Sequence, residues 1–412
     1  MPTVMVLGAG MVGVATALQL QKRGWSVLLV DQHQPGRETS YGNAGIIQTE
    51  AVEPYALPME AGRLLRMALG LSNDVHYHWR GLWQQGLALA QYVRYSVPVR
   101  HEQVSRAYSQ IARRASQDHE EFIRAAQAEP LVRREGFRMM HRTEKGFDRL
   151  VEQAHRFHTR YGVPVRILSA ADLRAAEPSL RDGGTGGVHW LDSWTCSDPC
   201  GLVGAYARLF VERGGTFVQA DARSLNGRRN GGWCIQTDAG RLDAEHLVVA
   251  LGPWSARFFQ RFGLRFPMFY KRGYHRHYQG PQLNLPLMDV DGGYVMAPMR
   301  LGLRITTGAE IAAWGARPSP AQLFRAEQHA RELLDLGPPR EARPWSGLRP
   351  CMPDMLPVVG KVPGLTNVWA HFGHGHQGFT QGPTTGLLLA QLMSGEPPVL
   401  DTAPLSPQRF LR

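Results

Sequence analysis

The stretch Val4-Met5-Val6-Leu7-Gly8-Ala9-Gly10-Met11-Val12-Gly13, followed by Ser26-Val27-Leu28-Leu29-Val30-Asp31, decides the fold. A short apolar run, a glycine-punctuated turn, an apolar-rich segment to about Arg23 and a second apolar run read as strand, turn, helix, strand. Gly8 permits the tight turn, Gly10 lets backbone approach a pyrophosphate, and Gly13 lets the helix pack closely on the strand. The helix N-terminus then turns its free N–H groups toward phosphate oxygens. Asp31 stands 23 positions after Gly8, where an acid accepts hydrogen bonds from ribose hydroxyls. A bare glycine triplet is weak; with its strands, helix and acid it predicts a dinucleotide-binding unit.

Beyond this unit, leucine, methionine and aromatic residues recur at helical spacing over residues 55–132, and 148–161 reads as another helix. A helix over 200–213 precedes a strand at 216–220, and the apolar run 247–251 ends at Gly252-Pro253-Trp254, a second strand contribution to the first sheet. Between 266 and 309 the pattern changes to short alternating runs, Gly293-Tyr294-Val295-Met296-Ala297 and Leu303-Arg304-Ile305-Thr306-Thr307, which suit an antiparallel sheet. An apolar helix is expected at 384–393.

At 412 residues the chain exceeds what one core usually serves, and an apolar fraction of 43% with 20% charged residues is that of a folded globular protein. The net charge of +11 is spread along the whole chain, carried by arginine with only Lys22, Lys145, Lys271 and Lys361 as lysines. No block of like charge or basic-aromatic repeat supports nucleic-acid binding. Cys196, Cys200, Cys234 and Cys351 are too few for a disulfide framework, which fits a reducing compartment. Cys196 and Cys200 have no second ligand pair beside them, and His374 and His376, two apart, have no Cys or carboxylate companion, so no metal is expected. Glycines interrupt the first apolar stretch where an export signal would be continuous, and no run of eighteen apolar residues follows. A cytoplasmic protein, at most peripheral on a membrane, is expected.

Four separated segments together resemble the FAD-dependent D-amino acid oxidase and dehydrogenase superfamily, most closely its bacterial D-amino acid dehydrogenase branch. They are the Gly8-x-Gly10-x-x-Gly13 unit with Asp31, Thr39-Ser40-Tyr41-Gly42-Asn43-Ala44-Gly45, Trp345-Ser346-Gly347-Leu348-Arg349-Pro350 with Pro353-Asp354, and Gly373-His374-Gly375-His376-Gln377-Gly378-Phe379-Thr380. The first alone leaves a nicotinamide open; the four in order imply non-covalent FAD. The resemblance implies a mixed α/β (α+β) fold, a Rossmann-like FAD domain with an inserted substrate domain on an antiparallel sheet. The expected division is 1–80, 144–163, 195–260 and 340–412 for FAD, and 81–143, 164–194 and 261–339 for substrate.

Carried onto this sequence, the resemblance puts Gly8, Ala9, Gly10, Met11, Val12, Gly13, Asp31 and Gln32 at the dinucleotide and gives Ser40 a phosphate. Asn43, Ala44, Gly45 and Ile46 lie along the flavin ring, Ala222, Gly252 and Trp254 are further cofactor-binding positions, and Gly375, His376, Gly378, Phe379 and Thr380 face the ring edge, Thr380 as hydroxyl donor. Arg349 stands where relatives grip the substrate carboxylate, which a planar guanidinium does with two parallel hydrogen bonds. Tyr274, Tyr294 and His376 are the further candidate pocket residues. Where relatives have Gly after the Asp that follows the arginine motif, Met355 follows Asp354, which puts the substrate in question.

The activity so implied is oxidation of a small amine, a D-amino acid in the first place, by hydride transfer from Cα to flavin. A D-hydroxyproline dehydrogenase and a sarcosine or glycine oxidase are the alternatives on the same fold, and a non-catalytic nucleotide-binding protein is the alternative of another class. The arginines Arg63, Arg66, Arg80, Arg94 and Arg100, interleaved with Trp79, Trp83, Tyr92 and Tyr95, suggest a membrane surface and a quinone or other respiratory acceptor.

Overall fold

The computed structural model describes every residue except 61, 63–72, 74, 229, 230, 239 and 412. Val4, Met5, Val6 and Leu7 are wholly buried because the strand they form, Thr3–Leu7, is the inside of a parallel sheet covered on both faces. Its neighbours run in the order Thr216–Gln219, Ser26–Asp31, Thr3–Leu7, His246–Val249, Val368–Phe372 and Val358–Lys361, all parallel but the last. Alternate side chains go to opposite faces. Val4 and Val6 join a core with the helices Met11–Gln21, Pro199–Glu212 and Gly378–Ser394. Met5 and Leu7 join one with the hairpin Trp233–Thr237 and Gly240–Ala244 and the helix Ser255–Phe259. The helix Pro199–Glu212 and the strand Thr216–Gln219 extend this sheet as the sequence predicts.

Among the described residues the second sheet has ten strands, runs largely antiparallel through its centre, and contains both predicted segments, as Tyr294–Met299 and Gly302–Thr307. Its long strand Phe269–Tyr278 pairs on one side with Gly302–Thr307 and on the other with Trp345–Cys351. The strand carrying the arginine motif is thereby stitched into the substrate sheet, although 340–412 was assigned by sequence to the FAD domain.

Two helices also exchange sides relative to the expected division. Pro98–Ala125, assigned to the substrate domain, lays Val104, Tyr108, Ile111, Ala115 and Phe122 into the same core as the dinucleotide strands. Glu144–Tyr161, assigned to FAD, lays Leu150, Ala154 and Phe157 against Phe137, Val188 and Trp190 of the large sheet. An amphipathic helix announces that it has an apolar face, and nothing in its periodicity names the sheet that covers it. Two further differences are local. Within the stretch read as helical, Val75–Tyr77 is an edge strand beside Ala309–Ile311. The C-terminal helix begins at Gly378, six residues before its predicted start, so Gly378, Phe379 and Thr380 form its first turn and not a loop.

Candidate active site

Two helix N-termini open on one cavity. Gly10 caps Met11–Gln21 and Gln377 caps Gly378–Ser394, and neither cap residue bonds the first turn through its own side chain; the Met11 N–H goes to Ser40, and the other first-turn N–H groups remain for a ligand. The helices cross closely because Gly382 sits 3.0 Å, as a Cβ, from Met11 Cγ and Gly386 3.0 Å from the Thr16 nitrogen. Gly8 has φ +105°, and a Cβ there would stand 2.3 Å from the Ala250 carbonyl oxygen, so only glycine fits this turn. A Cβ on Gly13 would meet the Gly8 oxygen at 1.8 Å, which fixes the distance between helix and turn.

The turn is held by its own polar groups. Asp31 accepts from the Ala9 N–H at 2.7 Å through one carboxylate oxygen and from His33 N–H at 2.9 Å through the other, and keeps lone pairs toward the cavity. Ser40 Oγ accepts from the Met11 N–H at 3.0 Å, which draws the 39–45 segment onto the helix start. Arg304, reaching from the large sheet, donates to the carbonyls of Tyr41 at 2.9 Å and Asn43 at 2.5 Å and to His277 Nε2 at 3.0 Å. Burial brings its guanidinium down to about 10, still cationic at neutral pH. Arg304 was missed in the sequence; an arginine between Leu303 and Ile305 in an alternating strand is the trace it leaves there.

The cavity they enclose measures about 1830 Å³, beyond the roughly 300–1,000 Å³ of ordinary small-molecule pockets and so roomy enough for a dinucleotide together with a substrate. Of the residues named from sequence, Gly8, Gly10, Met11, Val12, Asp31, Gln32, Ser40, Asn43, Ala44 and Ile46 line it, as do Ala222, Gly252, Trp254, Gly375, His376, Gly378 and Phe379. Arg349 and Tyr294 line it from the large sheet. Arg349 donates to the Thr307 carbonyl at 2.8 Å and to the Gly308 carbonyl. His376 packs edge-on against Tyr55, ring centroids 4.9 Å apart, and is held neutral, near 3, by burial and then by the charges of Arg349 and Lys271.

Five predicted residues stand behind the wall. Ala9 and Gly13 build the turn; Gly45 donates its N–H to Asn43 Oδ1 at 2.8 Å and its carbonyl accepts from the Cys196 N–H. Thr380 is corrected from a flavin donor to a tie between segments, since its hydroxyl donates to the Ile46 carbonyl at 3.3 Å and accepts from Gln48 N–H at 3.2 Å. Tyr274 is corrected from pocket to core: it is 1% exposed and its hydroxyl donates to buried Glu310 at 2.5 Å. The same Glu310 also takes Arg272 and His78, so the tyrosine serves a polar knot under the sheet. Periodicity made Tyr274 a strand residue, and the face it points to depends on register. His119, also missed, joins Tyr206 Oη at 3.0 Å to the Phe379 carbonyl at 2.9 Å and so steadies the first turn of the C-terminal helix.

A profile described as FAD-dependent oxidoreductase (DAO) matches residues 3–392. The chain belongs to this family. Its cofactor is accordingly FAD, and the glycine cradle with two open helix N-termini suits a pyrophosphate. Among similar proteins, the D-amino-acid oxidase of Bradyrhizobium diazoefficiens is 30% identical over 423 residues, covering 99% of each chain. The D-amino acid dehydrogenase of Cereibacter sphaeroides is 31% identical over 445 residues, covering 99% of this chain and 95% of the other. The glycine oxidase of Geobacillus kaustophilus has the same fold, with a TM-score of 0.72 at 22% identity over the full length of both chains. Among the described residues, no helix of this FAD-dependent oxidoreductase is long and apolar enough to cross a membrane.

Proposed function

We propose that this FAD-dependent oxidoreductase oxidises the α-amine of a D-amino acid, as the names of its two relatives suggest for them. The observation that carries the reading is Arg349, a guanidinium turned into the cavity from the sheet that faces the Ala44–Ile46 and Gly375–Phe379 segments. FAD, when bound, supplies the two-electron acceptor that takes the Cα hydrogen as hydride, leaving an imine that water converts to a keto acid and ammonium. The turn from Gly8 to Gly13 and Ser40 hold the pyrophosphate, and Asp31 holds the ribose. Arg349 grips the carboxylate and so aligns the Cα–H, which is where most of the protein's contribution to the rate lies. The N-terminus of Gly378–Ser394 would face the bound cofactor with its free N–H groups, which favour negative charge there.

Electrons then leave for a membrane-borne acceptor. Trp79, Trp83 and Leu87, spaced by four on the helix Trp79–Tyr95, are 74%, 88% and 77% exposed, an apolar stripe on a chain of net charge +11 that suits an anionic lipid surface. Arg80 and Arg94 share that helix; Arg63 and Arg66 lie outside the described residues. The test of the function is anaerobic mixing of the holoprotein with D-amino acids, sarcosine, glycine and D-proline. Bleaching of the flavin by D-amino acids is expected; a flavin that no amine reduces removes the enzyme reading, and reduction by sarcosine or glycine alone moves it to the other branch.

A further inference from the structure

Along Phe269–Tyr278, the residues Phe269, Lys271 and Gly273 share one face of the large sheet, and their antiparallel partners are Cys351, Arg349 and Gly347. Lys271 and Arg349 are therefore directly opposed neighbours, and both line the cavity. Like charges so opposed work against the fold. In an enclosed space with less water than a surface, their repulsion is stronger still. Among the described residues neither has a carboxylate partner. The Lys271 ammonium lies 3.3 Å from the Tyr92 hydroxyl, 4.5 Å from that ring's centroid and 5.4 Å from the Phe269 ring, while Arg349 spends its donors on two backbone carbonyls. Tyr92 gives its own proton to the Tyr55 carbonyl at 2.6 Å, so its oxygen accepts from Lys271 and leaves that ammonium two N–H donors.

Composition sharpens the point. The chain has four lysines among 46 basic residues, and Lys271 alone of the four lines the cavity. The other three lie elsewhere, Lys22 in an ion pair with Glu121 and Lys145 and Lys361 exposed. Both cationic charges also reach His376 and help keep its ring neutral, so they converge on the same part of the cavity. Two uncompensated cations side by side persist where a ligand neutralises them.

We propose that Lys271 is a second carboxylate anchor, and that the substrate is an α-amino dicarboxylic acid of the aspartate or glutamate class. Arg349 takes the carboxylate next to the reacting amine, and this rests on the function assigned to Arg349 above. Lys271 takes the carboxylate on the side chain, and a compact ammonium with rotatable donors accepts either chain length, where a second guanidinium fork would demand one geometry.

Steady-state and rapid-mixing kinetics of the holoprotein with D-glutamate, D-aspartate, D-alanine and D-methionine test this, alongside Lys271→Met. The wild type is expected to favour a dicarboxylate, and the variant to cut the dicarboxylate-to-neutral ratio of kcat/KM by about a hundredfold, the loss of one charge-assisted hydrogen bond. A readout independent of turnover is the shift of the flavin absorption band on titration with unreactive glutarate or butyrate. Glutarate should bind tighter than butyrate to the wild type, and no tighter in Lys271→Met. A wild type reduced by neutral D-amino acids but poorly by dicarboxylates overturns the second anchor and keeps the function; a flavin reduced by none overturns the function itself. A variant with an unchanged ratio, whose only loss lies in reoxidation, overturns the anchor as well.

Discussion

At Gly273 a Cβ would stand 2.6 Å from Arg349 Nη2 and 2.8 Å from its Cζ, so the guanidinium lies flat over a strand that has no side chain there. The bonds to the Thr307 and Gly308 carbonyls pin the same plane from the other side. Arg349→Lys keeps a positive charge and discards that plane. The expected outcome is a full complement of FAD with an unchanged visible spectrum, a raised KM and flavin reduction slowed on the order of a hundredfold, since about 1 Å of misplacement has that effect on a transfer reaction. Wild-type rate and saturation in rapid mixing would show that the carboxylate is held elsewhere. The place of Arg349 on the cavity wall was legible because its motif is continuous in sequence. Arg304, Lys271 and His119 were not, for each acts on a segment far away in the chain, 261 residues in the bond from Arg304 to Asn43. Thr380 and Tyr274 were named for their chemistry; their hydroxyls donate to the Ile46 carbonyl and the Glu310 carboxylate, partners that no local pattern predicts.

The first βαβ element was the easiest to read because everything that specifies it is local: glycines at the turn, an apolar strand on each side, an acid at the end of the second. Pro98–Ala125 and Glu144–Tyr161, both read as helical, pack into cores other than those of the domains their ranges were given to. The helix Trp79–Tyr95 buries Gln85, Ala88 and Tyr92 on one side and leaves Trp83 and Leu87 on the other. For that stripe the expected outcome of Trp83→Ser with Leu87→Ser is a loss of binding to anionic vesicles on the order of tenfold or more in a flotation assay, greatest at low ionic strength. Anaerobic reduction of the flavin should not change, because neither side chain lines the cavity. Equal flotation of both proteins removes the membrane reading, and peroxide formed as fast as a dye is reduced removes the separate acceptor.

Across the molecule, buried histidines gather where the two sheets and the C-terminal helix meet. His371 joins Thr16 Oγ1 at 2.6 Å to Thr385 Oγ1 at 2.8 Å, and His374 takes the same Thr385 at 2.9 Å. Burial pushes His371 well down, His374 and His376 to about 3 and His119 to about 4, against about 6.5 for an unfolded histidine. As pH falls from about 6.5 toward 4, the unfolded chain binds protons that the folded chain refuses, so stability is lost across that window and is full above it. Glu50, pushed up by burial, works in the opposite sense. Tm should therefore fall steadily between about pH 6.5 and 5 in a thermal scan; a flat Tm there would mean that these rings carry protons in the fold. The closeness of Gly382 and Gly386 to Met11 and Thr16 has a consequence in time as well as in space. A ribosome makes the phosphate turn first and the helix that braces it some 370 residues later, since Gly8 and Gly378 are that far apart in sequence. Until that helix emerges the nascent chain has half a cradle, so the cradle is completed only once Gly378–Ser394 has been made, long after the turn itself.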